Sequence, residues 1–308
     1  MLDKIVLAGG SGYLGQVVAD YYKDKAKEIV ILSRKETSAN SGGQKWIFWD
    51  AETPGNWVKE LEGADLMVNF CGKNVNCRYT EQNKGEILRS RLVPTVLLGN
   101  SIKELAAPPK VWINMASATI YRHAEDRPQD EDIGDIGADF SVDVCKSWEE
   151  CFRRIVTPAT KKVIFRTGIV LGRKDGAFPR LKNLVKFGLG GHQGTGRQYV
   201  SWIHEQDFAR AIEWAFESGQ DGAIYNVTAP GAVQNRAMMA LIRKTYGIPI
   251  GLPSPQWLLE AGARLIGTET ELILKSRWVY PGKLLKEGFT FQFPDAAAAI
   301  REIMSSRT

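Results

Sequence analysis

Residues Lys4 to Gly15 read KIVLAGGSGYLG. Ile5, Val6 and Leu7 give an apolar strand that runs straight into Gly9-x-x-Gly12-x-x-Gly15, and Leu14, Val17, Val18, Tyr21 and Tyr22 then recur at helical spacing. Glycines at such a bend permit a tight turn, close approach of backbone to a pyrophosphate, and close packing of the following helix. The helix N-terminus presents free N–H groups and its positive dipole end to the phosphates. Strand, glycine turn and helix together predict the entry to a dinucleotide-binding βαβ unit.

Glu28 to Leu32 reads as the second strand, at whose end an acidic residue grips the ribose 2′-hydroxyl of NAD. This chain has Ser33, Arg34 and Lys35 there. A carboxylate would repel a 2′-phosphate, whereas a guanidinium forks onto it and a hydroxyl donates to it. The expected cofactor is therefore NADP(H) in preference to NAD(H).

The remaining pattern alternates. Strands are expected at Lys45–Phe48, Asp65–Phe70, Val111–Met115, Val163–Arg166 and Ala223–Val227. Helices are expected from about Glu81 to Leu105, with Pro94 bending or dividing it, over Ser141–Val156, and over Phe208–Glu217 with Asp207 as N-cap. Such alternation means a doubly wound parallel sheet of α/β class with right-handed crossovers, and ligands at the carboxyl ends of its strands. Beyond Gly172 the regular pattern gives way to glycine- and aromatic-rich segments, as an inserted lobe would. The expected division is a dinucleotide-binding domain over 1–228, with a lobe insertion near 173–205, and a C-terminal lobe over 229–308.

Composition excludes several classes. The 308 residues carry 44% hydrophobic side chains and a net charge of +5 without dense basic runs. Neither a nucleic-acid nor a membrane patch is expected, and no segment has the apolar length of a membrane helix. With the first strand already at Ile5 to Leu7, no signal peptide is expected, and Cys71, Cys77, Cys145 and Cys151 lack metal-ligand spacing. The expectation is a soluble cytoplasmic protein with reduced thiols and no metal, working as a monomer or homodimer on a small-molecule substrate.

The chain resembles, over essentially its whole length, the extended short-chain dehydrogenase/reductases. The resemblance rests on the glycine turn, Ser117-x-x-x-Tyr121 and Arg166-Thr167-Gly168. More narrowly, it resembles the atypical epimerase family of sugar-nucleotide-epimerase type, through Arg78-Tyr79-Thr80, Ser90-Arg91, Trp148-Glu149, Gly194-x-Gly196-Arg197-Gln198-x-x-Ser201-Trp202-Ile203-His204 and Pro281-x-Lys283-Leu284-Leu285. The resemblance implies a Rossmann-type NADP-binding domain with a small C-terminal substrate lobe. Cofactor contacts carry over to the glycine turn (Gly9, Gly10, Ser11, Gly12, Tyr13, Leu14, Gly15), Ser33, Arg34, Phe70, Cys71, Gly72, Glu86, Arg91 and Val170.

Ordinary members of that superfamily use a Tyr-x-x-x-Lys pair, in which the lysine lowers the tyrosine pKa and the phenol exchanges a proton with substrate. Here Tyr21 and Lys25 form the single such match, on the first helix and away from the site. The positions that should hold the pair carry Ser141 and Cys145, which cannot reproduce it. Lys146 is adjacent but about 100° around the helix. Ser117 then stands as the substrate-orienting hydroxyl and Tyr121 as the candidate proton donor. Arg78, Tyr79, Arg197, Gln198 and Trp202 are the candidate substrate contacts, whereas His204 reads as a hydrogen-bonded structural residue. Two readings stay open. One is an NADP-dependent oxidoreductase or epimerase on a polar small molecule, nucleotide-linked ones included; the other is a catalytically silent NADP-binding protein that switches an interaction surface.

Overall fold

A computed structural model describes residues 1–35, 43–266 and 269–305. Its first half follows the βα alternation: β1 (Leu2–Ala8), α1 (Tyr13–Tyr22), β2 (Ala26–Ser33), β3 (Lys45–Phe48), β4 (Leu66–Asn69), α2 (Glu81–Lys103), β5 (Val111–Ser117), α3 (Phe140–Arg154) and β6 (Lys161–Thr167). There follow β7 (Ile169–Leu171), α4 (Ala177–Lys186), β8 (Tyr199–Val200), β9 (Trp202–His204), α5 (Glu205–Glu217) and β10 (Ile224–Val227). The chain continues through β11 (Val233–Gln234), α6 (Asn235–Tyr246), α7 (Gln256–Ile266), α8 (Glu271–Leu274), α9 (Gly282–Lys286) and α10 (Ala296–Ser305).

Seven strands form one sheet in the order β10-β6-β5-β4-β1-β2-β3, and every pairing in it is parallel. The order reverses between β1 and β4, so the crevice for a ligand opens at the carboxyl ends of those strands. Both sheet faces are covered. Ile5, Leu7, Val68, Ile113 and Phe165 pack on one side with α1 and α5. Val6, Val30, Met67, Trp112 and Ile164 pack on the other with α2 and α3. Small sheets, β7 with β9 and β8 with β11, carry the later segments over the strand ends. Leu284 and Phe289, far along the sequence, lie in the first of these cores, and the Tyr225 hydroxyl donates to Glu287 at 2.7 Å. The C-terminal stretch is thus packed into the main domain.

Two local expectations are corrected. α2 is not divided at Pro94 but runs through it as one helix of 23 residues. Tertiary bonds hold it: the buried Thr95 hydroxyl donates to the Arg91 carbonyl at 2.7 Å and accepts from Trp148 at 3.0 Å and Asn69 at 3.1 Å. At α5 the N-cap is His204, not Asp207. The His204 Nδ1 accepts the Gln206 N–H at 3.1 Å, and its Nε2 lies 2.8 Å from Glu302 on α10. His204 is fully buried, in the structural role expected of it. Asp207 is fully buried too, and its carboxylate collects the backbone N–H groups of Gln292 and Phe293 at 2.9 and 2.8 Å. An acidic residue in the first turn of a helix can cap it or fasten a distant segment, and only the fold decides which.

Candidate functional site

A cleft of about 910 Å³ opens over the carboxyl ends of β1, β2 and β4, bounded by Gly9, Gly12, Ser33, Arg34, Phe70, Cys71 and Gly72. The glycine turn is built for close approach. Gly9 adopts φ +71°, and a Cβ there would stand 3.1 Å from the Cys71 sulfur and 3.2 Å from its backbone nitrogen. A Cβ on Gly15 would fall 2.4 Å from the Gly10 backbone, so α1 leaves the turn in direct contact with it. Gly12 is the N-cap of α1 and supplies no side-chain bond to the helix N-terminus. Its first N–H groups therefore face the cleft with the positive end of the dipole. These features fit a pyrophosphate.

At the β2 end the Ser33 hydroxyl is buried and accepts the Lys35 N–H at 3.0 Å, turning Arg34 and Lys35 outward along the cleft wall. Among the described residues no carboxylate pairs with Arg34 or Lys35. Asp50, Glu52, Lys73 and Arg89 also line the cleft; Arg89 is bonded to Glu52 at 2.8 Å, and Lys73 to Glu86. Lys73 holds the Glu86 carboxyl below its usual range. Burial pushes the Cys71 thiol up to about 12, so this cleft cysteine is an uncharged wall.

The other candidate cofactor residues stand behind the surface. Tyr13 donates to Glu205 at 2.6 Å, and Leu14 and Val170 pack into the core. Arg91 lies against Gly72 and donates to the carbonyls of Ile87 at 2.9 Å and Lys73 at 3.3 Å, with its guanidinium over the Trp148 ring. It braces the cleft wall through the backbone. Burial lowers its pKa from the arginine norm.

Further along the same sheet edge, at the ends of β5 and β6, is a smaller pocket of about 140 Å³. Ser117, Thr119 and Thr167 form its hydroxyl-bearing floor, and Tyr199, Lys275 and Arg277 its far wall. Ser117 Oγ donates to Thr119 Oγ1 at 2.9 Å and accepts the Thr119 N–H at 3.2 Å. From β2 through β1 and β4 to β5 there are three steps of about 4.8 Å, so the strand ends carrying Ser33 and Ser117 lie about 14 Å apart along the sheet edge. That is a span for one extended dinucleotide.

Burial corrects the assignments of Tyr121, Trp202 and Gln198. Tyr121 is 1% exposed; its phenol donates to Asn226 at 3.0 Å and accepts from Arg166 at 2.8 Å, so it has no proton to offer a ligand. The short helical turn at Ala118–Ile120 carries it under the sheet end. Trp202 is fully buried among Leu171, Phe178 and Met238, its indole N–H bound to the Gly231 carbonyl at 2.9 Å, and is no cleft wall. Gln198 is likewise buried, donating to the Gln193 carbonyl at 2.8 Å. Arg197 points outward and pairs with Glu125 at 3.3 Å. Arg78 pairs with Glu269 at 3.4 Å, and Tyr79 stands 3.5 Å from Ser141 with its ring against Phe140. Cys145 packs with Ala118, Ile120, Val142 and Val279, its thiol pushed up to about 12 by burial. Lys275 and Arg277 carried no motif in the sequence; only the fold brings them to Ser117.

A doubly wound parallel sheet with a glycine-lined cleft at its switch point defines a Rossmann-type protein of the epimerase and short-chain dehydrogenase/reductase class. Residues 5–140 match the NAD dependent epimerase/dehydratase family, and residues 254–303 match a domain of unknown function, DUF1731. Epimerase family protein YfhF of Bacillus subtilis (strain 168) is 30% identical over 303 residues, 98% of each chain. Epimerase family protein SDR39U1 of Mus musculus is 28% identical over 98% of this chain and all of that one. The crystal structure of human epimerase family protein SDR39U1 (isoform 2) with NADPH superposes with a TM-score of 0.83 at 28% identity, covering 97% of this chain and 98% of the human one. A nucleoside-diphosphate sugar epimerase from Corynebacterium glutamicum gives 0.77 at 26% identity, covering 98% of this chain and 58% of that one. The chain belongs to the epimerase family of SDR39U1 type.

Proposed function

We propose that this protein is an NADP(H)-dependent oxidoreductase or epimerase acting on a hydroxyl or carbonyl of a polar small molecule, nucleotide-linked ones included. The observation that carries the reading is one continuous sheet edge with a glycine cradle and Arg34 at one end and the Ser117 hydroxyl at the other. The human relative's structure with NADPH supports the choice of cofactor. The free N–H groups of Ser11 and of the first turn of α1 would hold the pyrophosphate, with Gly9 and Gly12 leaving room for it, and Arg34 with Lys35 would hold the 2′-phosphate. Bound there, the nicotinamide supplies hydride chemistry. Ser117 would turn its hydroxyl from Thr119 to donate a hydrogen bond to the substrate oxygen, and the pocket wall beyond it restricts water.

A second reading, a cofactor-gated binding protein without turnover, draws on Ser141 and Cys145 at the positions of the usual tyrosine and lysine. Calorimetric titration with NADPH and NADH, followed by NADPH oxidation against a panel of carbonyl compounds and nucleotide sugars, separates the two. Turnover supports the enzyme. NADPH binding with a silent panel favours the second reading, and no binding overturns both. With a turned-over compound in hand, Ser117→Ala keeps NADPH affinity within about twofold and loses about 10²-fold or more in kcat; full activity in that variant would move the chemistry away from β5.

A further inference from the structure

The helix that should carry a lysine beside the reaction centre has Cys145 there, sealed in an apolar cluster under Val279. The cation arrives instead from the far end of the chain. Residues 275–279 lie extended across the ends of β8 and β9 and are fastened to them. The Arg277 N–H donates to the Tyr199 carbonyl at 2.9 Å, Ser201 Oγ to the Arg277 carbonyl at 2.6 Å, and the Tyr199 N–H to Ser276 Oγ at 2.8 Å. Ser276 is fully buried. In an extended segment alternate residues share a side, so Lys275 and Arg277 face the pocket together, on either side of the anchored serine. Lys275 Nζ is bonded to Asp139, the N-cap of α3, and lies 3.6 Å from Glu271. Arg277 reaches Glu271 at 3.4 Å. The ammonium is therefore held in one place, mostly buried, across the pocket from Ser117.

We propose that Lys275, delivered by this anchored segment, takes the place of the missing lysine of α3 and binds the nicotinamide half of the cofactor beside Ser117. This rests on the NADP(H) reading above. Burial and Arg277 push the Lys275 pKa down to about 8, which leaves the ammonium charged at neutral pH beside the Asp139 and Glu271 carboxylates.

The test separates the two ends of the cofactor without any substrate. Full-length wild type, Lys275→Met, Lys275→Arg and Arg34→Ala are titrated with NADPH by nicotinamide fluorescence and with adenosine 2′,5′-bisphosphate, which lacks the nicotinamide half, by calorimetry. Lys275→Met is expected to bind NADPH about tenfold more weakly, the scale of a hydrogen bond to a charged group, with bisphosphate affinity unchanged within about twofold. Lys275→Arg restores NADPH binding to within about threefold. Arg34→Ala weakens both ligands. Should Lys275→Met not fold, Lys275→Gln carries the same comparison. Equal NADPH affinity in the lysine variants, or equal losses for both ligands, overturns the inference alone. A wild type that binds neither ligand overturns the NADP(H) reading and this inference with it.

Discussion

Replacing Glu149 by alanine lowers stability by about 3–5 kcal/mol, the cost of leaving a buried charge without its partner. Glu149 is fully buried on α3 and meets the Arg166 guanidinium through both carboxylate oxygens, at 2.7 and 2.9 Å. Arg166 sits on β6, its side chain 9% exposed, and also donates to Tyr121. Without the carboxylate, a guanidinium remains in a site closed to water. The exposed arm of the same cluster behaves differently. Arg153 reaches Glu149 at 3.1 Å with about half its side chain in solvent, and Arg153→Ala should cost under about 1 kcal/mol. Urea unfolding of both variants checks the contrast; comparable midpoints would show that Arg166 finds other compensation. The pair ties α3 to β6, and through Tyr121 and Asn226 to β10, so it holds the floor beneath Ser117 without touching a ligand.

Arg34→Ala weakens NADPH binding by about 1–3 kcal/mol and leaves NADH nearly unchanged. The difference between cofactors is one phosphate, and the difference between proteins is one guanidinium that no described carboxylate neutralises. On a Kd scale the loss is roughly 5- to 150-fold. Paired calorimetric titrations of wild type and variant with both cofactors read it. Equal losses for NADPH and NADH would place Arg34 on a shared part of the cofactor, and no loss for either would remove it from the site.

The first half of the fold was legible because its signals are local. A glycine turn between a strand and a helix constrains backbone whatever lies elsewhere, and the strand after it must end where Ser33 and Arg34 stand. Beyond Gly172 the sequence still carries helical spacing, as in Met238, Met239 and Ile242 of α6 or Ala299, Ile300 and Ile303 of α10, all buried, but the glycine-rich stretches around it mask the period. The site was legible only on its cofactor side. Tyr121 follows Ser117 by four residues, yet one short turn carries its hydroxyl into a bond with Asn226. Lys275 and Arg277 had no motif, because their place depends on Ser276 being anchored to strands formed much earlier in the sequence. Gln198 shows the converse: a polar residue in a glycine-rich segment looks free to meet a ligand until it is found buried and donating to the Gln193 carbonyl.

The burial of Leu284 and Phe289 within the first core bears on how the chain is born. All seven strands of the main sheet have left the ribosome once Val227 emerges, but the part of that face around Tyr225 on β10 lacks Leu284 and Phe289 until some sixty residues more have been synthesised. During that interval Tyr225 and its apolar neighbours are open to aggregation and to chaperones. A message truncated after the codon for Leu274 should therefore yield a product that is insoluble or rapidly degraded, rather than a smaller cofactor-binding protein. Loss of residues 275–308 would then act on abundance before it acts on chemistry.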